Sequence, residues 1–321
     1  MEYNLDRRLS FFDYALVPDE DADPDADGKR PVKKAFTFEQ ATELAADDML
    51  GACFRWWPHV VLLVSAFFTP PFVLEVIRSR GMKVVMLFSE SPYQDGAQLA
   101  MAKFAHVSLV NDPVNLAAYR DASEVAEYMP HSYRPAVHFP ARPGARRKHD
   151  LAFVGSGFQS RIEFFEAMRL DGLDVALAGF WAGLAPESPL RPYLVTDADE
   201  CLDNAKTAAL YRQARTGINF YRREAEEAHQ GEGWAIGPRE VELAACGTWF
   251  ARDPRPESDE LFPFLPAFSG PEEAGGLIRW ALANPARRAA AAARARQAIA
   301  DRTFEHSARR LLGLLGQLGK E

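Results

Sequence analysis

The chain predicts an α/β protein built from two successive parallel-sheet domains, and three observations carry that expectation. Short apolar runs alternate with helical stretches from residue 38 onward, the alternation occurs in two rounds, and a charged, proline-rich segment separates the rounds. At 321 residues the chain is long for one core and suits two domains of about 150 residues each. The expected division is 1–140 and 141–321.

In the first round a helix over 38–50 precedes the apolar runs 59–67, 83–91 and 106–112, with helical stretches at 71–80 and 97–105 between them. Ahead of it, residues 19–34 (DEDADPDADGKRPVKK) read as a solvated loop. Asp23, Asp25, Asp27 and Gly28 match the first half of a calcium loop, but Lys34 stands where the twelfth-position glutamate is needed, so no calcium site is expected. The segment 129–150 has no sustained period and reads as the linker. The second round runs LAFVGSG (151–157), helix 161–168, DVALAG (174–179), helix 200–214, TGINFYR (216–222), helix 238–246 and TWFARD (248–253). From residue 272 the chain is expected to be helical, with breaks near Asn284-Pro285 and Asp301.

Composition excludes several classes. A net charge of -8 argues against a standing nucleic-acid partner, because phosphate backbones need a basic face. The arginines at 287, 288, 294, 296, 302, 309 and 310 alternate with core-spaced apolar residues and read as a solvated helix face. Cys53, Cys201 and Cys246 form no CxxC pair, which fits a reducing cytoplasm. No signal peptide is expected, and the longest apolar run, Val60 to Ile77, is broken by Pro70, Pro71 and Glu75, so no membrane span is expected either.

The stretch GEGWAIGPREVELAACG (231–247) is the most informative. Gly237-Pro238 opens a short helix and Gly247 closes it. Arg239, Glu242 and Cys246 then share one face, while Val241, Ala244 and Ala245 share another. A helix start attracts phosphate, and a carboxylate one turn deeper can hold a ribose diol. The same pattern fits a surface helix on which Arg239 and Glu242 pair. Upstream, Gly155, Ser156 and Gly157 follow a strand and Arg161 opens the next helix, an arrangement that lets a phosphate approach the backbone. Asn219 and Arg222 end another strand, and Arg222 or Arg223 suits a leaving diphosphate, with pairing to Glu224, Glu226 and Glu227 as the plain alternative. Asp197-Ala198-Asp199 has metal-binding DxD spacing but stands where an aspartate caps the following helix, so no metal site is expected. Glu90 at a strand end and His131 before the linker are the candidate bases.

Taken in order, FVGSGFQSR, LYRQARTGINFYR, GPREVELAACGTWFARD, FSGPEEAGGLIRWAL and DRTFEHSARRLL resemble the C-terminal half of GT-B glycosyltransferases of the CgeB-like (spore-maturation-protein) type. The R-x-[FV]-E-x-x-A-C-G core is the most specific of these, and the resemblance begins at MPHSYRPAVHFP (129–140) and leaves the first 55 residues uncovered. It implies two Rossmann-like domains facing a cleft, with helices closing the C-terminal one. A nucleotide-diphosphate sugar (UDP, GDP or other) would be the donor, with no tightly bound cofactor and no metal. It also implies that Glu242 holds the ribose. Gly155, Ser156, Gly157 and Arg161 would form the phosphate-side loop, with Asn219 and Arg222 beside the diphosphate and Gly237 and Arg239 at the helix start. The acceptor would be a glycan, protein, lipid or modified nucleobase met by the N-terminal domain. Many retaining members carry a second glutamate eight residues before the ribose one, and here that position is Trp234. Sugar-nucleotide epimerases and non-catalytic sugar-nucleotide binders share the frame.

Overall fold

A computed structural model describes residues 2, 4–25, 28–224 and 232–318. Asp27, Glu226, Glu227 and Gly231 lie outside the described residues. Contacts divide the chain into two compact units. The first holds residues up to Glu90, Asp95–Val110 and Leu116–Glu127, and the second holds Ser91–Gln94, Asn111–Asn115 and Tyr128 onward.

The first unit starts with α1 (Leu5–Asp13), β1 (Leu16–Pro18), β2 (Val32–Lys34) and α2 (Phe38–Trp56). The acidic-then-basic stretch is not wholly loop, for β1 and β2 pair antiparallel with Leu16 opposite Lys34. Its charge pattern supplies the reason. Lys33 reaches Asp19 at 2.7 Å and Asp21 at 3.1 Å, and Lys34 reaches Asp13 at 2.8 Å, so the basic half folds back onto the acidic half. Thr37 and Gln40 exchange capping bonds at the start of α2. Then come β3 (Val60–Val64), α3 (Pro71–Ser79), β4 (Lys83–Phe88), α4 (Asp95–Ala102), β5 (Val107–Val110), α5 (Leu116–Ala122) and β6 (Val125–Tyr128), in the sheet order β3-β4-β5-β6. β3, β4 and β5 run parallel. Val73, Leu74 and Ile77 of α3 bury against Val84, Met86 and Phe88, as the helical and strand periods require.

The second unit contains β7 (His149–Val154), α6 (Gln159–Ala167), β8 (Val175–Ala178), α7 (Asn204–Gln213), β9 (Ala214–Asn219), α8 (Pro238–Ala245), β10 (Trp249–Arg252), α9 (Pro256–Leu261), α10 (Pro271–Ala283), α11 (Pro285–Ala298) and α12 (Phe304–Leu318). Its sheet has the order β8-β7-β9-β10, all parallel, which puts the switch in chain order between β7 and β9. The segment expected to link the domains packs here, with Tyr133 bridging to Thr303 and Val137 against the core.

Two local expectations change. Asp203, not Asp197 or Asp199, caps α7, accepting the Lys206 amide at 2.8 Å, because the helix begins four residues later than expected. Of the C-terminal arginines, Arg287, Arg294, Arg296, Arg309 and Arg310 are exposed as expected, whereas Arg288 and Arg302 are partly buried. Arg302 is largely buried on Glu257, Arg294 stacks at 4.0 Å on Phe264, and Arg288 donates to the Ala281 carbonyl at 2.8 Å. The helix opened by Pro238 does end at a left-handed Gly247 (φ 66°), where any Cβ would lie 3.2 Å from Pro140. Among the described residues no helix is long and apolar enough to cross a membrane.

Candidate functional site

The site gathers at the carboxyl ends of β7 and β9, the edge where open parallel sheets receive ligands. Arg239, in the first turn of α8, donates to the Val154 carbonyl at 2.8 Å and to Asn219 Oδ1 at 2.7 Å, and lies over the Phe153 ring at 4.3 Å. It turns to the strand ends rather than making a surface pair with Glu242. Gly155 is small for this reason, since a Cβ there would run into the Arg239 guanidinium. A Cβ on Gly157 would meet the Trp181 ring, with Cδ2 at 2.7 Å. The Gly155 and Gly157 amides donate to Ala178 and Phe180 carbonyls at 3.0 and 2.7 Å, so these N–H groups are already bonded within the protein. Ser156 accepts Arg161 Nη1 through its carbonyl at 3.0 Å.

Side-chain cations take the place of those amides. Arg161 lies over Phe153 and Phe158, and Arg222 lies over Tyr93 at 4.4 Å and Phe158 at 5.5 Å. Arg255 donates to the Tyr93 hydroxyl at 2.5 Å and covers Tyr221 at 4.2 Å. Burial, with Arg239 and then Arg222 adding repulsion, brings Arg161 down to about 9. Crowded guanidinium groups disfavour one another, and an incoming anion relieves that cost. The Arg223 guanidinium pairs with Asp253 at 2.8 and 3.0 Å, and Glu224 accepts the Ser160 amide and hydroxyl at 2.9 Å each and the Arg223 backbone amide at 3.0 Å, so the two side chains do not pair with each other.

Glu242 is the other pole. Its side chain is 18% exposed, and burial pushes its carboxyl up to about 7 despite Arg239. Its nearest cationic candidate is His138, Nε2 to Oε1 at 3.9 Å, too long for a hydrogen bond. His138 Nδ1 accepts the Arg134 amide at 3.3 Å, which places the ring proton on Nε2. His138 Nε2 and Asn219 Nδ2 are both buried without a hydrogen-bond partner among the described residues. Two orphaned donors and one desolvated carboxylate are what a site shaped for a polar ligand leaves behind.

Several residues that hold the site escape a reading of the sequence. Glu240, fully buried, accepts Ser258 Oγ at 2.6 Å and bonds the Tyr221 hydroxyl and the Gly237 amide, at 3.3 Å for the latter. Its place three residues after Gly237 is a capping signal, and it fixes Gly237 as the N-cap. Glu257 accepts the Ile236 amide at 2.7 Å and the Tyr128 hydroxyl at 2.9 Å, with Arg302 alongside. Asp112 accepts the Trp234 and Ala235 amides at 2.9 Å each. Three carboxylates thus anchor the approach to α8, and no local pattern announces the long-range two. Of the candidate bases, Glu90 counts with the first unit and His131 with the second. His131 Nε2 lies 3.4 Å from Asn111 Nδ2, and burial, then Arg302, brings its imidazole down to about 4, so it is neutral at pH 7. Among the described residues no three or more His, Cys, Asp or Glu side chains gather where they could hold a metal.

Residues 160–313 match the family described as Glycosyl transferase-like. No curated protein matches the chain. Solved structures do. A UDP-forming α,α-trehalose-phosphate synthase from Burkholderia xenovorans superposes with a TM-score of 0.58 at 12% identity, over 92% of this chain and 82% of that one. HepE of Anabaena, solved with UDP and with UDP-glucose, gives 0.55 at 11% identity, over 85% and 82%. The fold is GT-B. A third GT-B neighbour is a putative UDP-N-acetylglucosamine 2-epimerase from Listeria monocytogenes, with a TM-score of 0.55 at 13% identity, over 88% and 80%. The family match spans α6 to α12 and so takes in Asn219, Arg239 and Glu242, while the GT-B likeness extends over both units.

Proposed function

We propose that this chain transfers a sugar from a nucleotide-diphosphate sugar to an acceptor, and that the second unit holds the donor. One observation carries the proposal: Glu242 is a desolvated carboxylate beside an orphaned His138 donor, one turn inside a helix whose Arg239 sits at the strand ends among Arg161 and Arg222. A diol offers two O–H donors to such a carboxylate, and a diphosphate offers an anion to the guanidinium cluster. HepE, solved with UDP-glucose, supports a UDP-sugar as the first donor to try. The guanidinium groups supply the positive charge that a metal ion provides elsewhere, and we propose metal-independent transfer on that basis. The motif order supports the CgeB-like type, and the cysteine pattern supports a cytoplasmic enzyme. The acceptor belongs to the first unit, with Glu90 or His131 as the base for its hydroxyl.

The test is a thermal-shift series with UDP-, GDP-, ADP- and dTDP-sugars, repeated with Glu242→Ala. One donor should raise the wild-type midpoint with concentration and leave the variant unmoved. No shift with any donor would sink the proposal.

A second reading, sugar-nucleotide epimerisation on the same fold, rests on the 2-epimerase neighbour. Donor isomerisation without any acceptor, followed by NMR, would establish it.

A further inference from the structure

The amino ends of the same sheet carry a pocket that the donor reading does not use. It has a volume of about 290 Å³ and is lined by Arg147, Arg215, Arg288 and Arg296, with Trp249 and the alanines of α11 as its apolar wall. Arg147 precedes β7, Arg215 is the second residue of β9, and Trp249 opens β10. The candidate donor residues sit at the other end of these strands, with roughly 17 Å of β9 between Ala214 and Asn219. Arg288 and Arg296 project from α11 eight residues apart, which places them on one helix face with Ala292 between.

The charges there do not cancel. Arg147 donates to the Arg212 and Ala214 carbonyls at 2.5 and 3.2 Å, and Arg288 donates to the Ala281 carbonyl at 2.8 Å. Carbonyls satisfy N–H groups but leave the cationic charge in place. Among the described residues the one carboxylate paired with any of the four is Asp150, which takes Arg215 at 2.6 Å. Four guanidinium groups therefore share one carboxylate in a concave site, on a chain whose net charge is -8. Burial lowers the Arg147 and Arg288 pKa values, and Arg215 and Arg147 add repulsion at Arg288. An anion entering the pocket removes that repulsion. Guanidinium forks suit phosphate oxygens, and the alanine and tryptophan wall suits a small body attached to the phosphate.

We propose that this pocket is a second anion site, separate from the donor site, which takes the phosphate group of a small phosphorylated molecule. Inorganic phosphate, pyrophosphate and glucose 6-phosphate are the probes, each titrated by calorimetry and by thermal shift. Pyrophosphate should fill two sites on wild type, and the one in this pocket should persist in Arg239→Ala. Arg288→Gln combined with Arg296→Gln should weaken it by about tenfold or more. Ala293→Glu, which only adds a carboxylate at the exposed rim, should do the same without removing any packing. Tighter binding of glucose 6-phosphate than of inorganic phosphate assigns the pocket to a sugar phosphate, and equal binding assigns it to the free anion. The proposal falls if no probe binds at millimolar concentration. It also falls if binding survives Ala293→Glu but is lost with Arg239→Ala, because the donor site is then the one taking phosphate. That last result would leave the transferase proposal standing, so the two fail separately.

Discussion

In the proposed donor site, Glu242 pulls stability and binding in opposite directions. Its carboxyl sits at about 7 in the folded chain against an ordinary 4.5, so between those values the folded state holds a proton that the unfolded state has released. Stability therefore falls as pH rises from 4.5 to 7 and stays lower above, by at most about 3 kcal/mol for this group. Glu242→Gln should raise the ligand-free melting temperature at pH 8, while leaving it nearly unchanged at pH 4.5. The same substitution should weaken donor binding about tenfold or more, as isothermal titration can show, because a diol prefers the charged acceptor. For wild type, donor binding should strengthen as pH rises through 7. Gly155→Ala tests the neighbouring pole. The added methyl meets the tip of the flexible Arg239 and, at 3.3 Å, the buried Phe153 ring, so the fold should survive with a modest drop in melting temperature. Arg239 would be pushed off Asn219, and donor affinity should fall severalfold.

Elements and their ends show what is legible in a chain of residues. The strand runs, the helix opened by Pro238 and closed by Gly247, and the two breaks in the helical tail follow from periodicity and from Pro and Gly chemistry. At the site, Asn219 and Arg239 were legible as types at strand and helix ends, and the structure puts them 2.7 Å apart. What was not legible depends on partners far away in sequence. Glu257 reaches Tyr128 across 129 positions, and Asp112 reaches Trp234 across 122. Nor could spacing show that Gly155 and Gly157 make room for Arg239 and Trp181. The ribbon of β1 and β2 was missed because exposed charge reads as loop, whichever side it pairs with. At this scale Gly247→Ala should lower the melting temperature by roughly 2–4 °C, since a left-handed residue other than glycine costs about 1 kcal/mol or more and Pro140 crowds the new methyl.

Across the whole molecule the two units have separate cores, one around Val84, Met86 and Phe88, the other around Phe153, Phe165 and Trp249. Two cores imply two cooperative transitions, and calorimetry should resolve them. A saturating donor should raise only the transition of the second unit, and a uniform shift of both would contradict the assignment of the donor to that unit. The buried pair of Glu257 and Arg302 adds a matter of timing. Glu257 holds the Ile236 amide just ahead of α8, and its guanidinium partner follows 45 residues later. On the ribosome, the approach to α8 is therefore synthesised well before the charge that neutralises its anchor. A nascent chain halted between the two would have the Glu257 carboxylate on the Ile236 amide and the Tyr128 hydroxyl but without its cationic partner. The proposed donor site would be among the last features of this protein to mature during translation.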